Sequence, residues 1–424
     1  MFQLFVLSVF IVLTCVDDNL CLGDDTECGR VHLTVSSLED TYLELNWITN
    51  CGSLNDVIPE YILLSSKNVR DRYEDSNVLL KVKFSDYPTG YYRSKVRFGE
   101  PWLPGNWEYN ENLTKADPGP HCFPYWISSI KGHQIIDSRC LAIQPTWMSD
   151  NSKTIGNNRI GSMFIPGTHN SGSFGGAPTI LENYVLNQDR SVWTQLVFGI
   201  RYLDFRIGYY EKNGFYINHD LFMITKINPI LKEIKKFVEL APKEVIVVDF
   251  HRFPYPTNFS YNLHKKFTDL VYQELGNYAL PTKDLQVGKG PSLNEIWARN
   301  KNLIICYADR ATVRANYWLW NPMQQFWGNT KRVPELKRFL AKSITDHRLT
   351  INPMWALMAE LTPSPIDFVL RTNNLRKLAD DVNRHVTKWI RDEWGKQVNV
   401  VASDYFLGND LINIAININS RNGT

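Results

Sequence analysis

The sequence has no excess of charge of either sign. Its 46 Lys and Arg residues stand against 44 Asp and Glu residues, which leaves a formal net charge of +2 over 424 residues. A chain so balanced has no global field that favours nucleic acid or an anionic membrane, and we expect no nucleic-acid partner. The 44% hydrophobic and 21% charged shares exclude a disordered chain. At roughly 100–200 residues per domain, the length predicts two or three domains.

Long apolar runs are also absent, apart from one near the N-terminus. Residues 2–14 read FQLFVLSVFIVLT, which is too short to cross a bilayer as a helix of about 20 residues but is typical of a secretory signal. Small residues favour cleavage after Gly23, so residues 1–23 are a predicted signal peptide; a buried N-terminal strand is the alternative. We therefore expect a secreted protein, or one in the lumen of the secretory pathway. Glycosylation sequons at Asn112, Asn258 and Asn422 fit this route.

Cysteine is scarce, and its spacing indicates no metal site. The seven cysteines include two within the predicted signal, and no CxxC pair or His-rich cluster occurs, so a structural zinc site is not expected. In an oxidising compartment, proximity predicts Cys28–Cys51 and Cys122–Cys140 disulfides, although four cysteines allow three connectivities. Cys306 lies in an apolar run, where a thiol behaves as a small hydrophobe.

The hydrophobic pattern divides the mature chain in two. Residues 24–145 alternate apolar and polar positions between turn-rich connections, which predicts an all-β, sandwich-like module. Residues 146–424 alternate apolar strands with amphipathic helices, among them a long one at 365–394. This alternation predicts an α/β fold whose parallel sheet closes, or nearly closes, into a regular or distorted (β/α) TIM-like barrel. A doubly wound sheet is the alternative.

Polar residues cluster where the predicted barrel strands end, which is where barrels carry their active groups. His169 and His219 each close a predicted strand, while Asp204 and Arg206 share one face of another. Two histidines and an arginine suffice to cleave a phosphodiester through an internal nucleophile. One imidazole removes a proton from the attacking hydroxyl, the other protonates the leaving alkoxide, and the guanidinium stabilises the phosphoryl oxygens. A structural ion pair is the alternative for Asp204 and Arg206.

Several short segments occur in an order that resembles a known family. They are PGTHNSG at 166–172, GIRYLDFRI at 199–207, YINHD at 216–220, VVDF at 247–250, and Asp404 after VVAS. The set resembles the phosphatidylinositol-specific phospholipase C X-domain family, in particular a secreted arthropod-like branch with an N-terminal β module. The resemblance covers about residues 146–420 and implies that residues 146–424 form a catalytic barrel.

Residue by residue, the resemblance implies a two-histidine mechanism. His169 is the general base for the inositol 2-hydroxyl, His219 is the general acid for the diacylglycerol oxygen, and Arg206 holds the phosphate. The implied substrate is phosphatidylinositol or a glycosylphosphatidylinositol-type lipid at a membrane surface, and the products are diacylglycerol and a cyclic inositol phosphate. Asp404 is the candidate for orienting His169, with a helix N-cap as its alternative.

The resemblance also bears on calcium. Signalling members of the family surround a calcium ion with residues that correspond here to Asn170, Asp204 and Asp249, and with a further acid where this chain has Arg206. A fixed cation at that position repels calcium and takes its place. We therefore predict no metal and no cofactor, with calcium as the disfavoured alternative. Metal-independent bacterial members have an Asp where Asn170 stands, and Asp204 is the candidate to support the arginine in its place.

Other interpretations stay open. A catalytically silent secreted module that binds inositol lipids or a protein has no need of both histidines and the arginine, so the enzyme is favoured. Glycerophosphodiesterase-type barrels begin with a His-Arg-Gly motif, whereas residues 169–171 read His-Asn-Ser. The aromatic-rich stretch 315–327 is either a rim that dips into membrane lipid or part of the core. The sequence indicates no oligomeric state.

Overall fold

The computed structural model describes residues 28–52, 57–71, 74–175, 182–282, 288–347 and 353–421. The predicted signal peptide and Asn422 lie outside these ranges. No helix within them is long and apolar enough to cross a membrane. Asn112 and Asn258 are exposed, so both side chains are accessible, and their glycosylation stays a prediction.

Alternating apolar residues build antiparallel strands in the first part of the chain. They are β1 (Val31–Val35), β2 (Tyr42–Trp47), β3 (Tyr61–Ser65), β4 (Val78–Lys83), β5 (Tyr91–Arg97), β6 (His121–Lys131) and β7 (Gln134–Ile143). They pair in the orders β1-β2-β5 and β4-β3-β6-β7, which gives two sheets with a shared apolar core. Disulfides join Cys28 to Cys51 and Cys122 to Cys140, which confirms the predicted pairing.

The second part contains a curled parallel sheet. Its strands, with one antiparallel hairpin formed by β10 and β11, are β8 (Ile165–Thr168), β9 (Tyr202–Tyr210), β10 (Gly214–His219), β11 (Phe222–Lys226), β12 (Ile246–Tyr255), β13 (Leu303–Tyr307), β14 (Leu319–Trp320), β15 (Gln324–Trp327), β16 (Trp355–Met358) and β17 (Val400–Ser403). The parallel order is β14-β13-β12-β9-β8-β17-β16-β15. This is the cyclic order of a barrel, because the first and last strands, β8 and β17, lie side by side.

The barrel is distorted, as one of the two predicted forms allowed. Among the described residues no ladder joins β14 to β15, so the sheet stays open there. A doubly wound sheet would not pair its first strand with its last, and the barrel prediction is therefore confirmed over its alternative. Cys306 is a free thiol in the buried strand β13, in agreement with its apolar run.

Helices cover the outside of the curled sheet. They are α1 (Trp147–Asp150), α2 (Ser152–Ile155), α3 (Glu182–Val185), α4 (Val192–Phe198), α5 (Ile227–Leu240), α6 (Tyr261–Leu275), α7 (Leu293–Trp297), α8 (Arg310–Ala315), α9 (Val333–Asp346), α10 (Pro365–Leu370), α11 (Leu375–Trp389) and α12 (Leu411–Arg421). The single helix predicted over 365–394 is wrong. Arg371 and Asn373 have positive φ values of 54° and 40°, a left-handed backbone that ends α10 before α11 begins.

One apolar core runs from the N-terminal sheets into the barrel. Phe123 stacks on Phe198 at a centroid distance of 5.7 Å, and Phe198 contacts Phe406 edge-on at 5.8 Å. The last N-terminal strand ends at Ile143 and α1 begins at Trp147. The boundary between modules at 145 and 146 stays a prediction, because side chains from both parts pack in the same core.

A buried ion pair anchors the end of the barrel at which β9 begins. Arg201 and Glu244 are fully buried, and Arg201 Nη2 lies 2.7 Å from Glu244 Oε2. The same carboxylate accepts hydrogen bonds from the backbone N–H groups of Met148 and Ser149. The pair thereby ties the start of β9 to the first turn of α1.

Candidate active site

The first barrel strand ends in a tight turn that presents His169. Gly167 is required because a Cβ there would come within 2.6 Å of the Tyr202 ring on β9. Asn170 has a φ of +43°, a left-handed conformation that Asn tolerates better than most residues. Its backbone N–H donates to Asp204 Oδ2 at 3.0 Å. The turn therefore holds the His169 imidazole at the carboxyl end of β8.

Asp404 makes a close contact with this imidazole, and its role in orienting His169 stays a prediction. The residue directly follows β17, and its Oδ1 lies 2.8 Å from His169 Nδ1 with both side chains buried. Asn187 Nδ2 donates to the same oxygen at 3.0 Å, and Asn187 Oδ1 accepts from Asn170 Nδ2 at 3.0 Å. Asp404 thus lies where the resemblance implies, and Asn187 is a further contact that the sequence did not reveal.

Arg206 contacts the other ring nitrogen of the same imidazole. Its Nη2 lies 2.8 Å from His169 Nε2. Because a guanidinium only donates, Nε2 accepts, and the ring proton is on Nδ1 toward Asp404. Burial alone lowers the pKa of His169, but the Asp404 and Glu360 carboxylates outweigh it and raise the pKa above its ordinary value. His169 is therefore a buried base whose lone pair points at a cation.

His219 lies at the end of β10 with its tautomer fixed. Its Nδ1 donates to the Val185 carbonyl oxygen at 2.7 Å, and a carbonyl only accepts, so Nδ1 carries a proton. Burial and the nearby Arg206 guanidinium lower the pKa of His219. Nε2 remains as the ring nitrogen for a second partner.

These groups share one cavity of about 250 Å³. Its polar lining includes His169, Arg206, His219 and Asp404, together with groups that sequence reasoning missed: Asn187, Arg252 and Glu360. The sequence analysis gave none of these three a role. The structure therefore brings together the two histidines, the arginine and the Asp404 carboxylate.

The other predicted supporting residues lie outside the cavity lining. Asp204 and Asp249 are both fully buried, on β9 and β12. Gln325 Nε2 joins them by donating to Asp204 Oδ1 and Asp249 Oδ2, each at 3.1 Å. Burial raises the pKa of Asp204, but Arg206 together with other neighbours, among them the Asn170 backbone N–H, outweighs burial, so the net shift is downward. Burial raises the pKa of Asp249 to about 6.

The donor set does not fit a calcium ion. Both oxygens of Asp204 already accept hydrogen bonds, from Asn170 N–H and Gln325, and the Arg206 charge lowers the Asp204 pKa at close range. Among the residues that the structure describes, no group of three or more His, Cys, Asp or Glu is placed to hold a metal. Calcium favours six to eight oxygen ligands, and a guanidinium in their midst opposes it. Metal independence stays a prediction.

Exposed apolar side chains lie on the segments that line the cavity. We call this set the apolar rim: Leu221, Phe222, Met223, Trp327, Ile366, Phe368, Val369 and Leu370, all exposed. Phe222, Phe368 and Trp327 also line the cavity. Most of the aromatic stretch 315–327 is not part of it, since Trp318 and Trp320 are buried. The core interpretation holds for those two residues, and the rim is formed mainly by α10 and the β10–β11 turn.

Comparison with known proteins assigns this chain to a protein family. A family model described as PI-PLC X 1 matches residues 158–419, which is more than half of the chain. The chain belongs to the PI-PLC X domain family, as the sequence resemblance predicted.

Named relatives and solved structures agree with this assignment. PI-PLC X domain-containing protein 1 of Homo sapiens is 24% identical over 254 residues, covering 58% of this chain and 75% of the relative. PI-PLC X domain-containing protein 3 of Mus musculus is 26% identical over 305 residues, covering 64% of this chain and 92% of the relative. The phosphatidylinositol-specific phospholipase C of Listeria monocytogenes aligns with a TM-score of 0.50 at 18% identity, covering 65% of this chain and 98% of that one. A structure of the Staphylococcus aureus phosphatidylinositol-specific phospholipase C, described for its membrane binding, aligns with a TM-score of 0.51 at 18% identity. The alignment covers 65% of this chain and 97% of that one.

At this identity the two solved structures show the fold alone. This chain has the barrel of the bacterial phosphatidylinositol-specific phospholipases C, preceded by its own antiparallel sheets. The curated relatives are named only for the domain they contain.

Proposed function

We propose that this protein cleaves the phosphodiester bond of phosphatidylinositol or of glycosylphosphatidylinositol-type lipids. The supporting observation is the placement of two fixed-tautomer histidines and an arginine around one cavity. The reaction is an internal displacement: a headgroup hydroxyl forms a new bond to phosphorus while the bond to the diacylglycerol oxygen breaks. The products are diacylglycerol and a cyclic inositol phosphate, which water can reopen.

His169 is the proposed general base. Its Nε2 carries the lone pair that accepts a proton, because Nδ1 donates to Asp404. Arg206 donates a hydrogen bond to that lone pair. A bound phosphate competes for the guanidinium through a charge-assisted contact, and the lone pair then becomes available to the attacking hydroxyl.

Arg206 is the proposed phosphate ligand. Its Nε is buried and has no hydrogen-bond partner among the described residues, which is costly unless a ligand supplies an acceptor. A phosphoryl oxygen is such an acceptor. The same guanidinium stabilises the negative charge that the phosphoryl oxygens carry in the transition state.

His219 is the proposed general acid. When protonated, its Nδ1–H is held by the Val185 carbonyl and its Nε2–H is free to donate to the leaving oxygen. The proton taken by His169 and the proton given by His219 balance the first step. Their roles exchange when water opens the cyclic product.

The partner is proposed to be a membrane surface. The apolar rim lies on the segments that line the cavity, so lipid chains of a bound substrate would lie against apolar side chains while its headgroup enters the cavity. Exposed apolar patches of this kind mark interaction sites, and Trp suits the membrane interface. The two disulfides favour an oxidising compartment, and we propose that the protein is secreted or lumenal.

Release of water-soluble inositol phosphate from phosphatidylinositol vesicles tests the proposal. The wild-type chain should turn over with calcium and with excess chelator alike, and His169→Ala and His219→Ala should each abolish turnover. His133→Ala is the matched control, because His133 is exposed in the turn between β6 and β7. Absence of turnover on free and anchored lipid would favour the catalytically silent binding module instead. Turnover that needs calcium would contradict the role given to Arg206.

A further inference from the structure

Glu360 is a buried carboxylate that the mechanism does not use. It follows β16 and lines the same cavity as His169, Arg206 and His219. The residue is 2% exposed, and neither carboxylate oxygen has a hydrogen-bond partner among the described residues, beyond the approach of its own backbone N–H. Leaving a buried acceptor unpaired is unfavourable, so a function is needed to explain why it lies there.

The neighbouring polar groups on the same segment are already engaged. Thr362 Oγ1 accepts from Trp327 Nε1 at 3.0 Å. Ser364 belongs to a capping box with Asp367 at the start of α10. Glu360 is thus the polar group of the 360–364 segment that remains for a ligand.

The unpaired groups of the cavity define what would complement them. Arg206 Nε needs a hydrogen-bond acceptor, and each of the two Glu360 carboxylate oxygens needs a hydrogen-bond donor. A ligand with anionic oxygens on one side and hydroxyls on the other satisfies both. A phosphorylated polyol has this composition, whereas a phosphate bearing only an alkyl chain lacks the donors.

We propose that Glu360 determines specificity for the headgroup, accepting hydrogen bonds from hydroxyls of the polyol ring that bears the phosphodiester. This inference rests on the proposed function for its substrate class. It adds that the ring hydroxyls which meet Glu360 must be unsubstituted. The hydrogen bonds form in the ground state and in the transition state alike, so their loss raises KM. Because Glu360 also raises the pKa of His169, its removal should in addition move the acid limb of the pH profile to lower pH.

Removing the charge should weaken ligand binding and strengthen the fold. Burial raises the pKa of Glu360 to about 7, so above that pH the folded protein holds a charge that the unfolded chain solvates better. Glu360→Gln should therefore raise Tm at pH 8, and the gain should vanish below the ordinary carboxyl pKa of about 4.3. A residue with only a structural role would show the opposite sign.

Calorimetric binding of two soluble probes provides the direct test. Inositol 1-phosphate and n-propyl phosphate both offer a phosphate to Arg206, but only the first carries hydroxyl donors. The wild-type chain should bind inositol 1-phosphate about tenfold or more tightly than n-propyl phosphate, as expected for hydrogen bonds to a charged group. Glu360→Gln should remove most of that ratio and change the Kd for n-propyl phosphate by less than about twofold.

Glu233→Gln is the matched control. Burial raises the pKa of Glu233 to about 7 as well, but its Oε2 accepts from Trp193 N–H at 2.8 Å and it lies outside the cavity lining. This variant should leave the binding ratio unchanged. A Glu360→Gln ratio equal to the wild-type ratio, or a wild-type chain that does not discriminate between the probes, would overturn the inference.

The binding test separates this inference from the proposed function. A chain that binds inositol 1-phosphate through Glu360 but shows no turnover would contradict the proposed catalytic activity and support headgroup recognition by Glu360. A chain that turns over lipid with equal KM before and after Glu360→Gln would keep the enzyme and remove the role of Glu360.

Discussion

Asp404→Asn offers a sharp test of how His169 is held. The substitution keeps the size and shape of the side chain and removes its charge. In the structure Asp404 Oδ1 accepts from His169 Nδ1 at 2.8 Å and from Asn187 Nδ2 at 3.0 Å. An amide at this position can turn its NH₂ toward Nδ1, which forces the ring proton onto Nε2 and removes the lone pair that acts as the base.

The size of the loss follows from the contact. A hydrogen bond to a charged group stabilises by about 1.5–3 kcal/mol, which corresponds to about 10- to 150-fold in rate at 1.36 kcal/mol per factor of ten. The wrong tautomer adds to this, and the corresponding change in serine proteases costs about 10⁴-fold in kcat. We expect Asp404→Asn to lower kcat by about two to four orders of magnitude.

The pH profile carries a second signature. His169 must be neutral to act as a base, so activity falls as the pH drops through its pKa. Burial and Arg206 lower that pKa, while Asp404 and Glu360 raise it above 6.5. Asp404→Asn removes the strongest contribution that raises it, so the acid limb of kcat/KM should move to lower pH.

Kinetics of inositol phosphate release between pH 5 and 9 provide the measurement. Glu44→Gln is the control, since Glu44 is a buried, hydrogen-bonded carboxylate in the N-terminal sheets. Glu44→Gln should change Tm by an amount similar to Asp404→Asn but should leave kcat unchanged. An Asp404→Asn variant that is folded and has wild-type kcat and acid limb would refute the orienting role.

Further substitutions probe the phosphate ligand, the rim and the anchor. Arg206→Lys should lower kcat/KM about 100-fold, because an ammonium cannot reproduce the guanidinium fork; unchanged vesicle kinetics would contradict this. Val369→Asp in the apolar rim should lower the affinity for phosphatidylinositol vesicles, measured by co-sedimentation, about tenfold or more without changing the Kd for soluble inositol 1-phosphate. Equal vesicle affinity would contradict membrane binding by the rim. Glu244→Gln should lower the free energy of unfolding in urea by about 3 kcal/mol or more, since it leaves the Arg201 charge buried and unpaired; a smaller change would show that Arg201 is solvated or otherwise paired.

The sequence allowed much of the catalytic constellation to be predicted because its members stand at the ends of barrel strands or within them. His169 and Asp404 directly follow the parallel strands β8 and β17, whose ends meet at one face of the barrel. Arg206 lies within β9, and His219 ends β10, which returns antiparallel to β9 and so reaches the same face. Asp404 lies 235 residues from its partner, and only the resemblance connected the two. The barrel itself was predictable from the alternation of strands and helices.

The rest depends on contacts that no local pattern reveals. Asn187 reaches Asp404 through the packing of segments that are 217 residues apart, and its neighbours in sequence do not mark it. Glu360 follows the end of β16, but its sequence alone assigns it no partner or role. The apolar periodicity of 365–394 continues through the break at Arg371, so the sequence predicted one helix where the structure has two. Val369 and Leu370, which directly precede that break, are exposed.

The proton affinities of the two histidines indicate that bound phosphate sets the productive state of the site. The pKa of His169 is raised, whereas burial and Arg206 lower the pKa of His219, so the protonated form that the acid needs is disfavoured beside the unneutralised guanidinium. A phosphate beside Arg206 offsets the guanidinium charge and brings negative charge toward His219, which raises the pKa of His219. It also draws Arg206 from His169 Nε2, which frees the base.

This coupling predicts a difference between two pH profiles. His219 must be protonated to act as the acid, so activity falls as the pH rises through its pKa. The kcat/KM profile reports the free site and the kcat profile reports the phosphate-bound site. We therefore expect the basic limb of kcat to lie at higher pH than the basic limb of kcat/KM. Coincident basic limbs would contradict the coupling, because they would mean that bound phosphate leaves the proton affinity of His219 unchanged.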